Sequence, residues 1–172
     1  MVLGGTTDPV KAAARLARRF GAGPVVVGPV VDDLQSATLS AGAALAGLRA
    51  AAAWPDAPRP VEAADLLPER ALDGDEQARA QLIAEVYEPL LGGGSALLDT
   101  VMTYLEQGNS LEAAAERLFV HPNTVRYRLR RVSELTGLIP RNGRDGFALR
   151  VAVVFGRLAR GHPQPRRAHK ST

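Results

Sequence analysis

Eight side chains around position 125 have the chemistry that is needed to recognise a nucleic acid. A guanidinium can donate two parallel hydrogen bonds to guanine, and an Asn amide can pair with adenine. Arginines also neutralise backbone phosphates. A short basic stretch of the chain supplies all of these groups. The candidate DNA-contacting residues are His121, Asn123, Thr124, Arg126, Tyr127, Arg128, Arg130 and Arg131.

These side chains can act together only on a helix that buries one face and leaves the other in solvent. At 100° per residue, the apolar positions of residues 122–136 fall within about 60° of arc. Asn123, Arg126, Tyr127 and Arg130 point away from that arc, Thr124 and Arg131 flank them, and Arg128 lies near its border. The predicted buried face is formed by Val125, Leu129, Val132 and Thr136.

A shorter helix is predicted just before this one. It starts after Ser110 and places Leu111, Ala114, Ala115 and Leu118 on one face, where the small alanines permit close crossing of the second helix. Phe119 follows at the turn, where many DNA-binding pairs have glycine, and we expect Val120 in the core between the helices. Two short helices with a basic second member are typical of helix–turn–helix proteins that insert the second helix into a major groove. We therefore expect a helix that starts at Pro122 or Asn123 to enter the groove.

The charge of the chain is unevenly distributed. Residues 1–109 contain 8 Lys and Arg against 14 Asp and Glu, whereas residues 110–172 contain 13 against 4. The net charge of +3 therefore combines an acidic front, at −6, with a basic back, at +9. This asymmetry indicates a polyanionic partner for the back of the chain.

Other classes of function find little support in the composition. The chain has no cysteine, and its three histidines are not accompanied by a serine–carboxylate set, a metal-binding pair or a phosphate loop. The Asp32–Asp33 pair is interpreted as a helix cap with a neighbouring surface charge. We expect no enzyme, no cofactor, no metal site and no membrane span.

The whole sequence predicts a mainly α protein with a C-terminal helix–turn–helix bundle and a small, incomplete α/β segment in front. The front order is strand, helix, strand, helix, and residues 56–74 are predicted to be a proline-rich linker. The predicted elements are a strand at 2–3, a helix over 8–20, a strand at 25–27, a helix from 32 or 33 to 53, a helix from 73 or 75 through 87 that Pro89 and the glycines at 92–94 stop, a helix from 95 to about 107, the helix pair, a helix over 147–158 and a basic tail over 161–172.

The back of the chain resembles the C-terminal domain of PucR-type (purine-catabolism regulator) bacterial transcription factors. The matching segments are 98–108 (LDTVMTYLEQG), 114–131 (AAERLFVHPNTVRYRLRR) and the apolar helix over 147–158, and the likeness extends over about 85–158. The helix pair is also similar to that of Fis-type nucleoid proteins. In the PucR-type family the Phe at the turn is normal, and the eight candidate residues correspond to the turn and the basic recognition helix. The resemblance implies a sequence-specific, cytoplasmic and nucleoid-associated regulator of double-stranded DNA, and we expect a homodimer because a single unit binds weakly.

The front of the chain resembles the second half of a degenerate diguanylate-cyclase-like (GGDEF-like) domain. Gly4-Gly5 is followed by Thr6-Thr7-Asp8, so it is not the catalytic signature. We therefore expect a fragment or a late-start product with a remnant domain over 1–55, a linker over 56–74, the DNA-binding domain over 75–160 and a tail over 161–172. Two strands cannot form a stable sheet alone, so the front elements are expected to dimerise, swap or rearrange into helix. The alternative function is a helical oligomerisation or protein-interaction module that uses the helix over 34–53.

Overall fold

The computed structural model describes residues 8–161 and confirms the predicted fold class. The predicted strand at 2–3 and all but the first residue of the predicted tail lie outside the described residues. The elements are α1 (Pro9–Ala17), β1 (Val26–Val27), α2 (Ala37–Ala50) with a 3-10 turn (Ala51–Ala53), β2 (Val61–Glu62), α3 (Leu67–Leu72), α4 (Glu76–Leu82), a π-helical segment (Ile83–Tyr87), α5 (Glu88–Gly92), α6 (Ser95–Glu106), α7 (Leu111–Leu118), α8 (Pro122–Thr136) and α9 (Gly143–Ala159). The chain divides into two compact units, Met1–Ala80 and Gln81–Thr172.

The first unit is built around two short parallel strands. β1 pairs with β2 in the register Val26 to Val61, and the amide of Ala63 donates to the carbonyl of Val27 at 2.7 Å. Helix α2 packs closely on this pair, because Gly47 leaves no room for a Cβ beside Val26. A small apolar cluster forms behind the strands and is made of Ala51, Val61 and Leu66, with Val26, Trp54 and Ala57 packed against it.

Residues 56–74 differ from the predicted linker, because they supply β2 and α3 to the first unit. Leu66 and Ala71 are fully buried, and their burial anchors the segment. The Arg59 side chain donates to the carbonyls of Gly23 and Gly21 at 2.6 and 2.7 Å. Pro58 and Pro60 precede the strand and Pro68 lies in the first turn of α3, so none of the three interrupts the pairing of β2.

A buried ion pair fixes the start of α4. The Arg70 guanidinium donates to Asp75 Oδ2 at 2.8 and 3.0 Å and to the carbonyl of Ala63 at 2.9 Å. Asp75 Oδ1 accepts from the amides of Gln77 and Ala78, so this carboxylate caps α4 at one of the two starts that the sequence predicts. Burial raises the pKa of Asp75, but the hydrogen bonds from Arg70 and Ala78 outweigh it and hold that pKa below its ordinary value.

Pro89 does not stop the helix that begins with α4, and this differs from the sequence prediction. The chain passes through one π-helical turn, in which the amide of Glu88 donates to the carbonyl of Ile83, five residues back. Pro89 lies within the first turn of the following α5, where its missing N–H is tolerated. The helix ends at the glycines instead, and Gly94 adopts a φ of 104°.

The second unit packs α9 against the π-helical segment and places α6 beneath the helix pair α7–α8. Gly156 of α9 lies directly against the Tyr87 ring, and Arg160 stacks over the same ring at 5.7 Å while pairing with Glu88 at 2.9 Å. The largest fully buried side chains of this unit are Leu82, Leu90, Thr100, Val101, Val125, Val132, Leu149 and Val153.

The contact between Gly156 and Tyr87 yields a stability prediction. A Cβ at position 156 would overlap the Tyr87 ring, so Gly156→Ala is expected to lower the free energy of unfolding by about 1–3 kcal/mol. Gly143→Ala is the control, because the same helix has open space at that position. Urea unfolding measures both variants, and equal stabilities would show that the ring does not pack on α9.

Candidate nucleic-acid interface

Helix α7 provides the platform on which the basic helix rests. Ser110 caps it, since its Oγ accepts from the amide of Ala113 at 3.2 Å. Ala114 and Ala115 are buried, and Leu111 and Leu118 are half-buried on the same side. The predicted apolar face is therefore confirmed, and its small residues let α8 cross closely.

The turn between the helices is held by backbone geometry at Phe119. This residue adopts a left-handed conformation with a φ of 55°, and its side chain is 93% exposed. The following amide, that of Val120, donates to the carbonyl of Ala115 at 3.0 Å and closes the end of α7. Val120 itself is half-buried, so it only partly fills the space between the helices.

His121 ends the turn and caps α8. Its Nδ1 accepts from the amide of Asn123 at 3.2 Å, which requires that this ring nitrogen carries no proton. Pro122 is the first helical residue, which agrees with the first of the two predicted starts, Pro122 or Asn123. His121 is exposed at the N-terminus of α8, where the amides of the first helical turn point outward.

The buried face of α8 corresponds to the predicted one. Val125 and Val132 are fully buried, and Leu129 and Thr136 are half-buried on the same side. The helix ends at Gly137, which adopts a φ of 72°. With its apolar stripe inside the bundle, α8 presents its opposite face to solvent.

That exposed face carries the polar and cationic groups. Asn123, Arg126, Tyr127, Arg130 and Arg131 are exposed, and Thr124 is half-buried beside them. Arg126 Nη1 donates to Asn123 Oδ1, and the Arg130 guanidinium stacks over the Tyr127 ring at 5.7 Å. The two pairs order the first two turns of the helix.

Glu134 belongs to the exposed face of α8, and the sequence analysis did not include it. It lies 3.0 Å from Arg131 and 3.6 Å from Arg130 across the exposed face. Its spacing of three and four residues from these arginines was a usable signal for intrahelical ion pairs. Because all three side chains are about half exposed or more, these pairs are weak and can exchange for pairs with a phosphate.

Arg128 is placed differently from the other arginines of α8. It is half-buried, and its Nη1 donates to the hydroxyl of Thr100 on α6 at 3.1 Å. The helical wheel predicted that Arg128 lies at the border of the buried face. It did not predict the contact with Thr100, because a contact between two different helices leaves no periodic pattern in the sequence.

Within residues 8–161, no three His, Asp or Glu side chains are grouped so that they could hold a metal ion. None of the helices within that range is long and apolar enough to cross a membrane.

Comparisons with known proteins agree with this geometry. Residues 97–154 match the family model of the PucR C-terminal helix-turn-helix domain. The Bacillus subtilis purine catabolism regulatory protein is 40% identical over 63 residues, which are 37% of this chain and 12% of that protein. The crystal structure of a regulator of polyketide synthase expression from Bifidobacterium adolescentis has a TM-score of 0.80 at 38% identity, covering 92% of this chain and 63% of that chain.

The likeness extends beyond the helix pair. An uncharacterized protein of Mycobacterium tuberculosis strain H37Rv is 48% identical over 146 residues, which cover 85% of this chain. The same residues make up 35% of that protein, so the chain spans about a third of the length of such relatives.

The seating of α8 can be tested by charging its buried face. Val125→Asp would bury an unpaired carboxylate at a fully buried position and is expected to abolish cooperative unfolding of the second unit. Asn123→Asp adds the same charge to the exposed face and should melt like the wild type. A native-like thermal transition for Val125→Asp would mean that the helix faces another way.

Proposed function

We propose that this chain, which contains a PucR C-terminal helix-turn-helix domain, is the DNA-binding part of a bacterial transcriptional regulator. The observation that carries the proposal is the exposed cationic face of α8, whose opposite face is anchored in the core by Val125 and Val132. The named relatives are regulators of purine catabolism and of polyketide synthase expression.

The proposed mechanism divides the exposed residues by chemistry. Asn123, Thr124 and Arg126, at the start of α8, read base edges in the major groove together with Tyr127. Arg130 and Arg131 neutralise phosphates, and contact with DNA replaces their pairs with Glu134. His121 contributes at the turn, where the helix N-terminus favours a phosphate.

The working form that we propose is a homodimer on two half-sites of double-stranded DNA. A dimer doubles the phosphate contacts and makes the second binding event intramolecular. A protein that acts in this way on chromosomal DNA would function in the cytoplasm at the nucleoid.

We further propose that the first unit descends from the second half of a GGDEF-like domain. The order α1, β1, α2 and the parallel pairing of β1 with β2 support this proposal. Within the longer relatives such a unit would be part of a sensory region.

The phosphate contacts can be counted from the salt dependence of binding. Arg130→Ala should weaken binding to every duplex and reduce the slope of log K against log salt by about 0.9, because one counterion-releasing contact is lost. Arg15→Ala is the control, since it removes an exposed charge from α1. Equal slopes for the two variants would remove Arg130 from the contact set, and no binding by the wild type at 50 mM salt would refute the function.

The second candidate is a helical oligomerisation module without DNA function, and an observation on α2 favours a contact there. Leu45 and Leu48 are 59% and 46% exposed on its outer face, and Leu34 just before the helix is 84% exposed. Within α2, residues 41, 45 and 48 follow the spacing of an apolar seam between helices. We propose a second copy of this chain as the partner of this seam.

Substitution of the seam separates the two candidates. Leu45→Lys should convert a dimer into a monomer and lower the affinity for a two-half-site duplex by about 100-fold, leaving half-site binding unchanged. Leu39→Lys makes the same change elsewhere on α2, at a side chain that is 53% exposed. Sedimentation measures the oligomeric state of both variants, and titration measures their affinity for DNA. A wild-type dimer that binds no DNA at low salt would favour the oligomerisation module. A Leu45→Lys variant that is still a dimer would show that the seam is not the dimer contact.

A further inference from the structure

We infer that Arg128 is a positioning residue that sets the rotation of α8 through the buried hydroxyl of Thr100, and that it does not contact phosphate. This inference rests on the proposed function, because it concerns how accurately the α8 face meets base edges. Arg128 would therefore differ in role from Arg126, Arg130 and Arg131, the exposed arginines beside it in the sequence.

The hydrogen-bonding capacity of Thr100 gives the contact a direction. Thr100 is fully buried in α6, and its Oγ1 donates to the carbonyl of Ala96 at 2.6 Å. Since a hydroxyl has one proton, its remaining capacity toward Arg128 is to accept, and a guanidinium can only donate. The pair therefore has one arrangement, with Arg128 Nη1 at 3.1 Å from Oγ1.

The contact lies where it can resist rotation of the helix. Val125 and Val132 hold α8 in the core by apolar packing, which has no directional preference of its own. Arg128 is displaced by about 60° around the helix from Val125, so its hydrogen bond acts on the side of the helix. A rotation of 20° would move an atom 6 Å from the axis by about 2 Å, which is enough to separate a side chain from its base.

The consequence for binding is a loss of selectivity without a loss of phosphate contacts. Phosphate neutralisation by Arg130 and Arg131 tolerates a small rotation, because flexible exposed side chains can follow the charge. Base readout by Asn123 and Arg126 does not, because bidentate pairs need fixed geometry. Without the pair between Arg128 and Thr100, the protein should bind all DNA about equally well while distinguishing sequences poorly.

The test uses the full chain and two duplexes of equal length and composition. One is selected by the wild type from a random-sequence pool, and the other is a scrambled version of it. The variants are Arg128→Met, Thr100→Val, which is nearly isosteric and lacks the hydroxyl, Thr100→Ser, which retains it, and the double variant Arg128→Met with Thr100→Val. Each is assayed over a salt series at a temperature at which its melting curve shows the folded state.

We expect Arg128→Met and Thr100→Val each to lower the ratio of selected to scrambled affinity by about 10-fold. Their salt slopes should stay within about 0.3 of the wild type, in contrast to Arg130→Ala. Thr100→Ser should restore the ratio. In the double variant Thr100→Val should cause no further loss, because the two residues act through one contact.

Three results would overturn the inference. A slope that falls by about 0.9 in Arg128→Met would make Arg128 a phosphate contact. An unchanged affinity ratio in that variant would leave it without a positioning role, and this readout stands even if Thr100→Val fails to fold. Losses that add in the double variant would show that the residues act separately. Failure of the wild type to bind either duplex would instead refute the proposed function itself.

Discussion

The structure of the second unit depends on burial of one side of a helix that is otherwise polar. Val125 and Val132 are seven residues, or about two helical turns, apart, and both are fully buried in the bundle. Around them, α8 carries arginines that would keep an isolated helix in solvent. Burial of the two valines therefore decides which face of α8 lies inside the bundle, and α6 and α7 pack against that face.

The surroundings of α8 show how little freedom that arrangement leaves. Ala114 and Ala115 admit the helix at close range, and Gly93 makes room for Leu135 near its other end. The turn before it requires Phe119 in a left-handed conformation, which costs an ordinary residue about 1 kcal/mol or more. The surrounding packing imposes this conformation, because neither the residue type nor its exposed side chain favours it.

Periodicity allowed prediction of the elements whose two faces differ most. The faces of α7 and α8 follow from repeats of 3.6 residues, and residue type predicts that α7 starts after Ser110 and that α4 starts at Asp73 or Asp75. The strand β2 could not be predicted, because its two residues lie behind prolines and pair with a strand 35 positions earlier. The prediction that Pro89 stops the helix is wrong, because the π-helical turn before it removes the steric and hydrogen-bonding conflict that a proline causes inside a regular α-helix. The pairing of Thr100 with Arg128 is visible only in three dimensions, whereas the DNA contacts themselves remain predictions.

The π-helical turn at Ile83–Tyr87 also sets the angular phase of everything in the helix that follows it. Five residues per hydrogen-bonded loop in place of four amounts to one inserted residue, which turns later side chains by about 100°. Tyr87 meets Gly156 and Leu90 reaches the core in this phase. Homologues that delete a residue here would have to move their apolar positions by one, so the length of this segment and the positions of its neighbours should change together in evolution.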